Sequence, residues 1–170
     1  LGKNKLPSYE IDDFDYNNST NWTASNDATN IQDDTIVYTH GSASMKFSIV
    51  PALSGLNRAT VTRVLSNIDL TDFSETGKFK CDAYLENITN LTSISFAFGA
   101  DTSNYWKSTQ TTQEDGTAFV VGWNHMSFDI DSATIVGSPD ISSLATCWYD
   151  YDYTAAFTGG TNFRLDYLRV

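Results

Sequence analysis

Alternation of apolar and polar side chains is the feature that most limits how this sequence can fold. In the segment 126–131 (Met-Ser-Phe-Asp-Ile-Asp) every second residue is apolar, and the segment 163–167 (Phe-Arg-Leu-Asp-Tyr) repeats the pattern. Successive side chains of a β-strand point to opposite faces, so a period of two predicts strands with one buried face. The most helix-like window, Asp140–Ala145, is long enough for about one turn only. The sequence therefore favours a fold made of strands.

Turn residues divide the chain into short runs with the composition of strands. Such runs, bounded by turn formers as in Pro51–Gly55 and Thr158–Gly160, predict a series of strands. The predicted strands are Tyr9–Asp15, Asn30–Tyr38, Ser44–Val50, Ala59–Leu65, Lys78–Leu85, Ser93–Phe98, Tyr105–Thr109, Thr117–Val121, Trp123–Asp129, Leu144–Tyr151 and Phe163–Val170. Because many short strands without helices pack best as two layers, we predict an all-β domain of two antiparallel sheets.

The chain is long enough for one domain with its own hydrophobic core. It has 170 residues, of which 18% are charged and 14% are aromatic. Residues 1–8 are predicted to be a linker, and residues 9–170 a single β-sandwich domain. The two cysteines, Cys81 and Cys147, each lie in an apolar, strand-like run. Two alternatives stay open for them, a disulfide between neighbouring inner strands or two reduced, buried thiols.

The charge of the chain excludes some classes of ligand. Its 21 acidic and 10 basic residues give a net charge of −11. Phosphate binding needs a basic surface, so we predict that the protein binds neither nucleic acid nor an anionic membrane surface. No run of about 20 apolar residues is present, so membrane insertion is not expected either. The carboxylates serve solubility, or some of them gather around a hard cation such as Ca²⁺.

Four segments in the second half of the chain carry a resemblance to a known class of domain. They are Phe96–Asp101, Asn104–Trp106, the run 122–129 (Gly-Trp-Asn-His-Met-Ser-Phe-Asp) and the closing run 162–170 (Asn-Phe-Arg-Leu-Asp-Tyr-Leu-Arg-Val). Together they resemble the carboxy-terminal half of jelly-roll sandwiches of the carbohydrate-binding-module type, as found in bacteriophage virion and tail proteins and in extracellular bacterial proteins. The resemblance covers most of residues 9–170. It implies a jelly-roll β-sandwich of two antiparallel sheets.

The same resemblance implies that the first and last strands lie side by side in one sheet, and that a structural Ca²⁺ ion ties the two chain ends together. In such modules the ligands are a carboxylate from the first strand, backbone carbonyls of an early turn and an Asp on the last strand. The matching positions here are one of Asp12, Asp13 or Asp15, the turn 40–44 (His-Gly-Ser-Ala-Ser), and Asp166. The alternative is that these acids are ordinary strand residues that face solvent.

Catalysis is not expected, although one segment resembles a glycosidase motif. The run 10–15 (Glu-Ile-Asp-Asp-Phe-Asp) is similar to the Glu-x-Asp-x-x-Glu signature of retaining laminarinase-type enzymes. A retaining mechanism needs two carboxyl groups about 5 Å apart in one cleft. Here the last position is Asp15 instead of Glu, and the motif lies on the predicted first strand. With only His40 and His125 available, a Ser-His-Asp or zinc arrangement has little support either.

Aromatic side chains are the candidates for ligand binding, because sugar rings stack on flat side chains. Tyr105 and Trp106 are adjacent and flanked by polar residues, and Tyr149, Tyr151 and Tyr153 alternate with acids. The three tyrosines share one face of a strand, and one face of that strand is core. Buried tyrosines need hydrogen-bond partners, whereas exposed ones form a recognition platform. Both alternatives stay open, and these five residues are the predicted ligand-binding set.

These observations lead to one functional hypothesis and two alternatives. The hypothesis is a non-catalytic carbohydrate-binding domain of a virion or an extracellular protein, located on the virion or cell surface and serving attachment to surface glycans. Its predicted partners are a surface polysaccharide and other virion or cell-surface proteins. The first alternative is a structural or decoration domain that contacts only its own assembly, because a fold does not by itself determine function. The second is a glycoside hydrolase.

Overall fold

The computed structural model describes residues 8–74 and 76–170. The predicted linker, residues 1–8, therefore lies outside the described residues except for Ser8. The chain forms the strands β1 Glu10–Asp12, β2 Trp22–Asn26, β3 Ala28–Asp34, β4 Ser44–Ile49, β5 Arg58–Ile68, β6 Lys78–Leu85, β7 Leu91–Asp101, β8 Asn104–Gln110, β9 Gly122–Asp129, β10 Thr134–Val136, β11 Leu144–Tyr153 and β12 Gly160–Arg169. A one-turn helix α1 spans Asn18–Asn21, and a 3₁₀ helix spans Thr71–Phe73.

The strands form two six-stranded sheets. The first sheet has the order β3-β4-β12-β6-β9, with β1 paired to the end of β12, and the second has the order β10-β8-β7-β11-β5-β2. All pairs between these strands are antiparallel. The predicted β-sandwich of two antiparallel sheets is confirmed.

Aromatic side chains from the inner faces of both sheets fill the core. Phe47 of β4 meets Tyr151 of β11 edge to face at 5.4 Å, and Phe79 of β6 lies 4.8 Å from Phe96 of β7. The large side chains without exposed surface include Phe14, Phe98, Phe128, Phe163 and Tyr149. Burial of one such ring contributes about 2 to 3 kcal/mol, so this layer dominates the stability of the domain.

The pairing of the chain ends follows the prediction. Glu10 and Asp12 of β1 lie opposite Arg169 and Leu168 of β12, which confirms that the first and last strands are neighbours. The Asp12 carboxylate also accepts a hydrogen bond from Trp22 Nε1 at 2.7 Å and forms an ion pair with Arg63 of the second sheet. This buried cluster therefore connects the first strand to both sheets.

Several local predictions were wrong. Thr117–Val121 is not a strand: Ala118 makes only an isolated bridge with Thr112, and the Val120 amide and carbonyl bind the Asn124 side chain. Asp140–Ala145 contains no helix, and α1 and the strands β2 and β10 were not predicted. In each case contacts with residues outside the segment decide the local structure, and the local composition does not reveal those contacts.

Cys81 and Cys147 are free and buried, so the open question of a disulfide is answered in favour of two thiols. Burial raises the pKa of each thiol to about 12, which keeps both protonated and unreactive. Over residues 8–74 and 76–170, none of the helices is both long and apolar enough to span a membrane.

Candidate functional site

Alternation along β11 decides which side chains reach the outer surface of the second sheet. Tyr149 and Tyr151 point into the core and have no exposed surface. Trp148, Asp150 and Asp152 lie between or beside them in the sequence, so they point to the outer face. There Trp148 and Asp150 join outward side chains of β2, β5 and β8 around a groove.

The prediction that Tyr149, Tyr151 and Tyr153 form an exposed platform was wrong. Tyr153 is 5% exposed, and its hydroxyl donates to the buried carboxylate of Asp27. Burial raises the pKa of Tyr149 and Tyr151 well above the ordinary value for tyrosine. The alternation correctly placed the three tyrosines on one face, but that face is the core. The acids lie on the opposite, outer face, where Asp150 is nevertheless buried by its neighbours and Asp152 is more accessible.

The predicted pair Tyr105 and Trp106 is split between the two faces of β8. Tyr105 lines the groove and meets Trp148 edge to face, with ring centroids 4.8 Å apart. Trp106 points inward and stacks on Phe98 at 5.4 Å with an interplanar angle of 15°. Trp106 is thus partly buried against the core and lies on the sheet face opposite the groove. Of the five predicted ligand-binding residues, only Tyr105 reaches it.

The groove crosses the strands of the second sheet and has a volume of about 310 Å³. The β7 residues that pair with Asp150 and Trp148 of β11 are the small residues Ser95 and Ala97. The residues that line it are Ser25, Asn26, Arg58, Thr60, Thr62, Thr102, Tyr105, Lys107, Trp148 and Asp150. The lining therefore combines two aromatic rings with hydroxyl, amide and charged groups.

The Asp150 carboxylate is the centre of the polar network in the groove. It is 4% exposed, and its Oδ1 accepts a hydrogen bond from Thr60 Oγ1 at 2.7 Å. Its Oδ2 receives Lys107 Nζ at 2.7 Å and Trp148 Nε1 at 3.3 Å. Buried polar groups that are fully hydrogen-bonded become rigid, so Asp150 fixes the positions of Lys107 and the Trp148 ring.

A second ion pair closes the network at one side of the groove. Arg58 Nε donates to Asp152 Oδ1 at 2.6 Å, and this hydrogen bond is the main cause of the raised pKa of Arg58. Asn26 Nδ2 donates to Thr60 Oγ1 at 2.8 Å. Each charged group in the groove therefore has a partner of opposite sign, and the neutral groups are oriented by hydrogen bonds.

The chemistry of the groove suits the binding of hydroxyl-rich molecules. The carboxylates of Asp150 and Asp152 are each paired with a cation, whereas a retaining glycosidase needs a carboxylate free to attack and a second one free to donate a proton. The glycosidase-like segment lies elsewhere: Glu10 is exposed, and Asp12 is buried against Trp22 and Arg63. Those two carboxyl groups face different surroundings.

The acids predicted as calcium ligands are not brought together. Asp12 is engaged by Trp22 and Arg63, and Asp13 Oδ1 accepts the Asp15 amide at 3.1 Å. Asp15 Oδ1 accepts the amides of Ser42 and Ala43 at 2.6 and 3.0 Å. Across the part of the chain that the structure describes, no three Asp, Glu, His or Cys side chains form a metal-binding group.

Glycine at position 41 belongs to the same contact. Its φ of +65° favours glycine, and a Cβ there would lie 2.2 Å from Asp15 Oδ1. In this turn the amides of Ser42 and Ala43 point at Asp15 and that of His40 points at Asp166, whereas the resemblance implies backbone carbonyl oxygens of the turn as ligands.

Asp166 is different from the other acids. It has no exposed surface, and its Oδ2 accepts the amides of Thr39 and His40 at 2.6 and 2.9 Å. Its Oδ1 is buried and has no hydrogen-bond partner among the described residues. Burial raises the pKa of Asp166 despite these hydrogen bonds. An unpartnered buried carboxylate oxygen next to Asp82, its cross-strand neighbour, fits a cation ligand.

Sequence reasoning missed most of the groove. Arg58, Thr60 and Asp152 carry its network, and none was predicted as a site residue. One signal was present, because Asp150 and Asp152 alternate with the tyrosines and two acids rarely face a core. The cation partners come from distant strands, and their proximity depends on strand order.

No protein-family model matches the chain, and neither does any curated protein. Solved structures do match. The family 30 carbohydrate-binding module of the cellulosomal cellulase Cel9D-Cel44B of Clostridium thermocellum is similar with a TM-score of 0.66 and 13% identity, over 97% of this chain and 98% of that one. The C-terminal family 22 carbohydrate-binding module of Clostridium thermocellum Xyn10B gives a TM-score of 0.52 and 16% identity, over 95% and 90% of the chains.

A third similar structure is part of a larger enzyme. An arabinose-bound α-L-arabinofuranosidase matches with a TM-score of 0.58 and 13% identity, over 88% of this chain and 23% of that one. At such identities the likeness concerns the fold. The protein has the β-sandwich fold of carbohydrate-binding modules, and the predicted resemblance is confirmed at that level.

Proposed function

We propose that this chain is a non-catalytic carbohydrate-binding domain whose ligand occupies the groove on the outer face of the second sheet. The observation that carries the proposal is the aromatic corner of Tyr105 and Trp148 beside oriented hydroxyl and amide groups. Flat rings pack against the C–H faces of a sugar, while neighbouring polar groups bind its hydroxyls and fix its orientation. The groove offers both on one rigid sheet.

The expected affinity is modest. Trp148 is only 8% exposed, so the ligand gains stacking area mainly from Tyr105 and from the edge of the indole. A shallow groove also loses part of the binding energy to desolvation of the ligand and its own polar groups. Dissociation constants in the micromolar to millimolar range, roughly −8 to −4 kcal/mol, follow from this balance.

The biological setting is a further part of the proposal. We place the domain on a virion or in an extracellular or cell-surface protein, where it attaches its parent to a surface polysaccharide. The fold likeness to modules named for carbohydrate binding supports the polysaccharide partner. The net charge of −11 is in keeping with a partner other than nucleic acid.

A glycan array followed by calorimetry on the best ligand tests the proposal. Tyr105→Ala removes half of the aromatic corner and should weaken binding about tenfold, which is the loss of about 1.4 kcal/mol. Tyr16→Ala is the matched control, because Tyr16 is 67% exposed and lies outside the groove. The control should bind like the wild type.

A silent array would overturn the proposal and favour the alternative, an assembly domain that contacts only virion or cell-surface proteins. Equal binding by the wild type and Tyr105→Ala would instead place the sugar elsewhere on the domain. The two results differ in whether the wild-type protein binds any glycan. Circular dichroism checks that each variant is folded.

Calcium is retained as a proposal centred on Asp166. The buried, unpartnered Oδ1 supports it, and the hydrogen bonds of Asp12, Asp13 and Asp15 do not. An ion that binds only the folded state raises stability by mass action, so a chelator should lower the melting temperature. Asp166→Asn should abolish that response, and unchanged melting of the wild type in excess chelator would contradict the proposal.

A further inference from the structure

The charged groups of the groove are all paired with one another. Lys107 binds Asp150 at 2.7 Å, and Arg58 binds Asp152 at 2.6 Å. Each of the two cations on this face is therefore in direct contact with one carboxylate. Neither cation is left free to bind an anionic ligand group.

The ion pair of Lys107 and Asp150, here called the inner pair, is largely buried and therefore stays formed when a ligand binds. The Asp150 side chain is 5% exposed and that of Lys107 is 21% exposed. Asp150 also receives Thr60 Oγ1 and Trp148 Nε1, so both of its oxygens are occupied. A ligand that captured Lys107 would leave Asp150 buried and without its cation, which costs several kcal/mol.

The ion pair of Arg58 and Asp152, here called the outer pair, is more accessible to solvent. The side chains of Arg58 and Asp152 are 39% and 25% exposed, so solvent screens their interaction more strongly. Arg58 lines the groove, and Asp152 lies in hydrogen-bond contact with it, so a ligand group at Arg58 also meets the charge of this carboxylate. Its negative charge repels a carboxylate or sulfate that approaches Arg58.

The net charge of the chain and the neutral groups of the groove also disfavour an anionic ligand. The chain carries a net charge of −11, and its field disfavours the approach of any polyanion. The remaining groups of the groove are neutral hydroxyls and amides, from Ser25, Asn26, Thr62 and Thr102. These groups bind sugar hydroxyls and need no ionic partner.

We propose that the groove selects uncharged polysaccharides over uronic-acid-containing or sulfated ones, and that Asp150 and Asp152 determine this selectivity by neutralising Lys107 and Arg58. This inference rests on the proposed function, because it requires a glycan in the groove. Both acids act on selectivity through the cations they neutralise. Removal of either carboxylate leaves a cation that can bind an anion.

The experiment uses one polysaccharide backbone in two forms. The neutral polysaccharide that binds best to the wild-type protein is prepared as its hydroxyethylated derivative and, at the same degree of substitution, as its carboxymethylated derivative. Affinity electrophoresis measures the dissociation constant of each. The wild type should prefer the neutral form at least tenfold, and Asp152→Asn should reduce that preference about fivefold, the factor for one unit charge at contact in water.

Two further variants complete the design. Asp129→Asn removes the same charge from an exposed ion pair with Lys78 on the first sheet and should leave the preference unchanged. Asp150→Asn should shift the preference in the same direction as Asp152→Asn, and circular dichroism checks that both remain folded. Added salt should weaken the preference, because it screens the repulsion.

The outcomes separate this inference from the proposed function. Equal wild-type affinity for the two derivatives would overturn the selectivity while leaving glycan binding intact. An unaltered preference in a folded Asp152→Asn protein would overturn the role of that carboxylate. No binding to any polysaccharide on the array would overturn both the inference and the proposed function.

Discussion

The rings of Tyr105 and Trp148 meet edge to face across strand β7, with centroids 4.8 Å apart and planes at 65°. Gly99 of β7 lets the backbone of β8 lie close beside it at Tyr105, because a Cβ at position 99 would lie 2.2 Å from the Asn104 carbonyl oxygen and 2.6 Å from Tyr105 Cα. The corner is therefore built by three strands. Its two rings define the aromatic part of the groove.

The first prediction separates the ring of Trp148 from its N–H group. Trp148→Ala loses the ring and the donor to Asp150, and should lower the free energy of unfolding by about 3 kcal/mol. Trp148→Phe keeps an aromatic ring and should cost only about 1 kcal/mol, for the lost hydrogen bond. Glycan affinity should fall more in the Ala variant than in the Phe variant.

Urea denaturation and calorimetry measure these two effects. Trp123→Phe is the control, because Trp123 forms a comparable edge-to-face pair with Tyr84 at 5.4 Å on the first sheet. That variant should bind glycan normally. Equal affinity of Trp148→Ala and the wild type would show that the indole contributes nothing to the site.

The second prediction concerns two buried tyrosine hydroxyls. Tyr153 donates to the buried Asp27 carboxylate, so Tyr153→Phe leaves that carboxylate with fewer partners and should destabilise the protein by about 1 to 3 kcal/mol. The Tyr151 hydroxyl has no hydrogen-bond partner among the described residues. Tyr151→Phe should therefore leave stability unchanged or raise it. Urea midpoints compare the variants, and the reverse order would contradict the hydrogen-bond assignment.

The third prediction contrasts a buried ion pair with an exposed one. Asp12→Ala removes the partner of Arg63 and of Trp22 Nε1 and should cost about 3 to 5 kcal/mol, because the Arg63 charge stays partly buried. Asp129→Ala breaks the exposed pair with Lys78 and should cost less than about 1 kcal/mol. Thermal unfolding of both variants provides the measurement. Similar losses would mean that the Asp12 cluster does not anchor β1.

The fourth prediction is a loss of stability in acid that depends on Asp27. Burial opposes ionisation of Asp27, but hydrogen bonds from Tyr153 and Ser54 outweigh it and lower its pKa below the ordinary 3.8. The ionised form is therefore favoured in the folded state. Its contribution is complete above the ordinary pKa and is lost as the pH falls through the lower, folded value.

Urea midpoints between about pH 5 and pH 2 should therefore fall less steeply for Asp27→Asn than for the wild type. Tyr153→Phe should show an intermediate slope, because it removes one of the groups that lower the pKa. Parallel pH profiles for all three proteins would contradict the role of Asp27.

The sequence was sufficient for the fold class and for the neighbourhood of the chain ends. Alternation in 126–131 and 163–167 identified β9 and β12, because the period of two is a local property of a strand with one buried face. The resemblance added the pairing of the first strand with the last, which the opposition of Glu10 and Arg169 bears out.

Strand order was decided only in the tertiary structure. Lys107 of β8 and Thr60 of β5 reach Asp150 from opposite sides because β8 and β5 flank the β7-β11 pair. The local composition of these strands does not predict which strands they pair with, because long-range packing determines the pairing. The groove network was therefore beyond sequence reasoning.

The segment 148–153 (Trp-Tyr-Asp-Tyr-Asp-Tyr) separates what the sequence determines from what the tertiary structure decides. The sequence by itself determined that its tyrosines share one face and its acids the other, because side chains alternate along any strand. It did not determine which face is buried. The packing of β11 against Phe47 and Phe163 of the first sheet decided that, since a face becomes core only when another layer covers it.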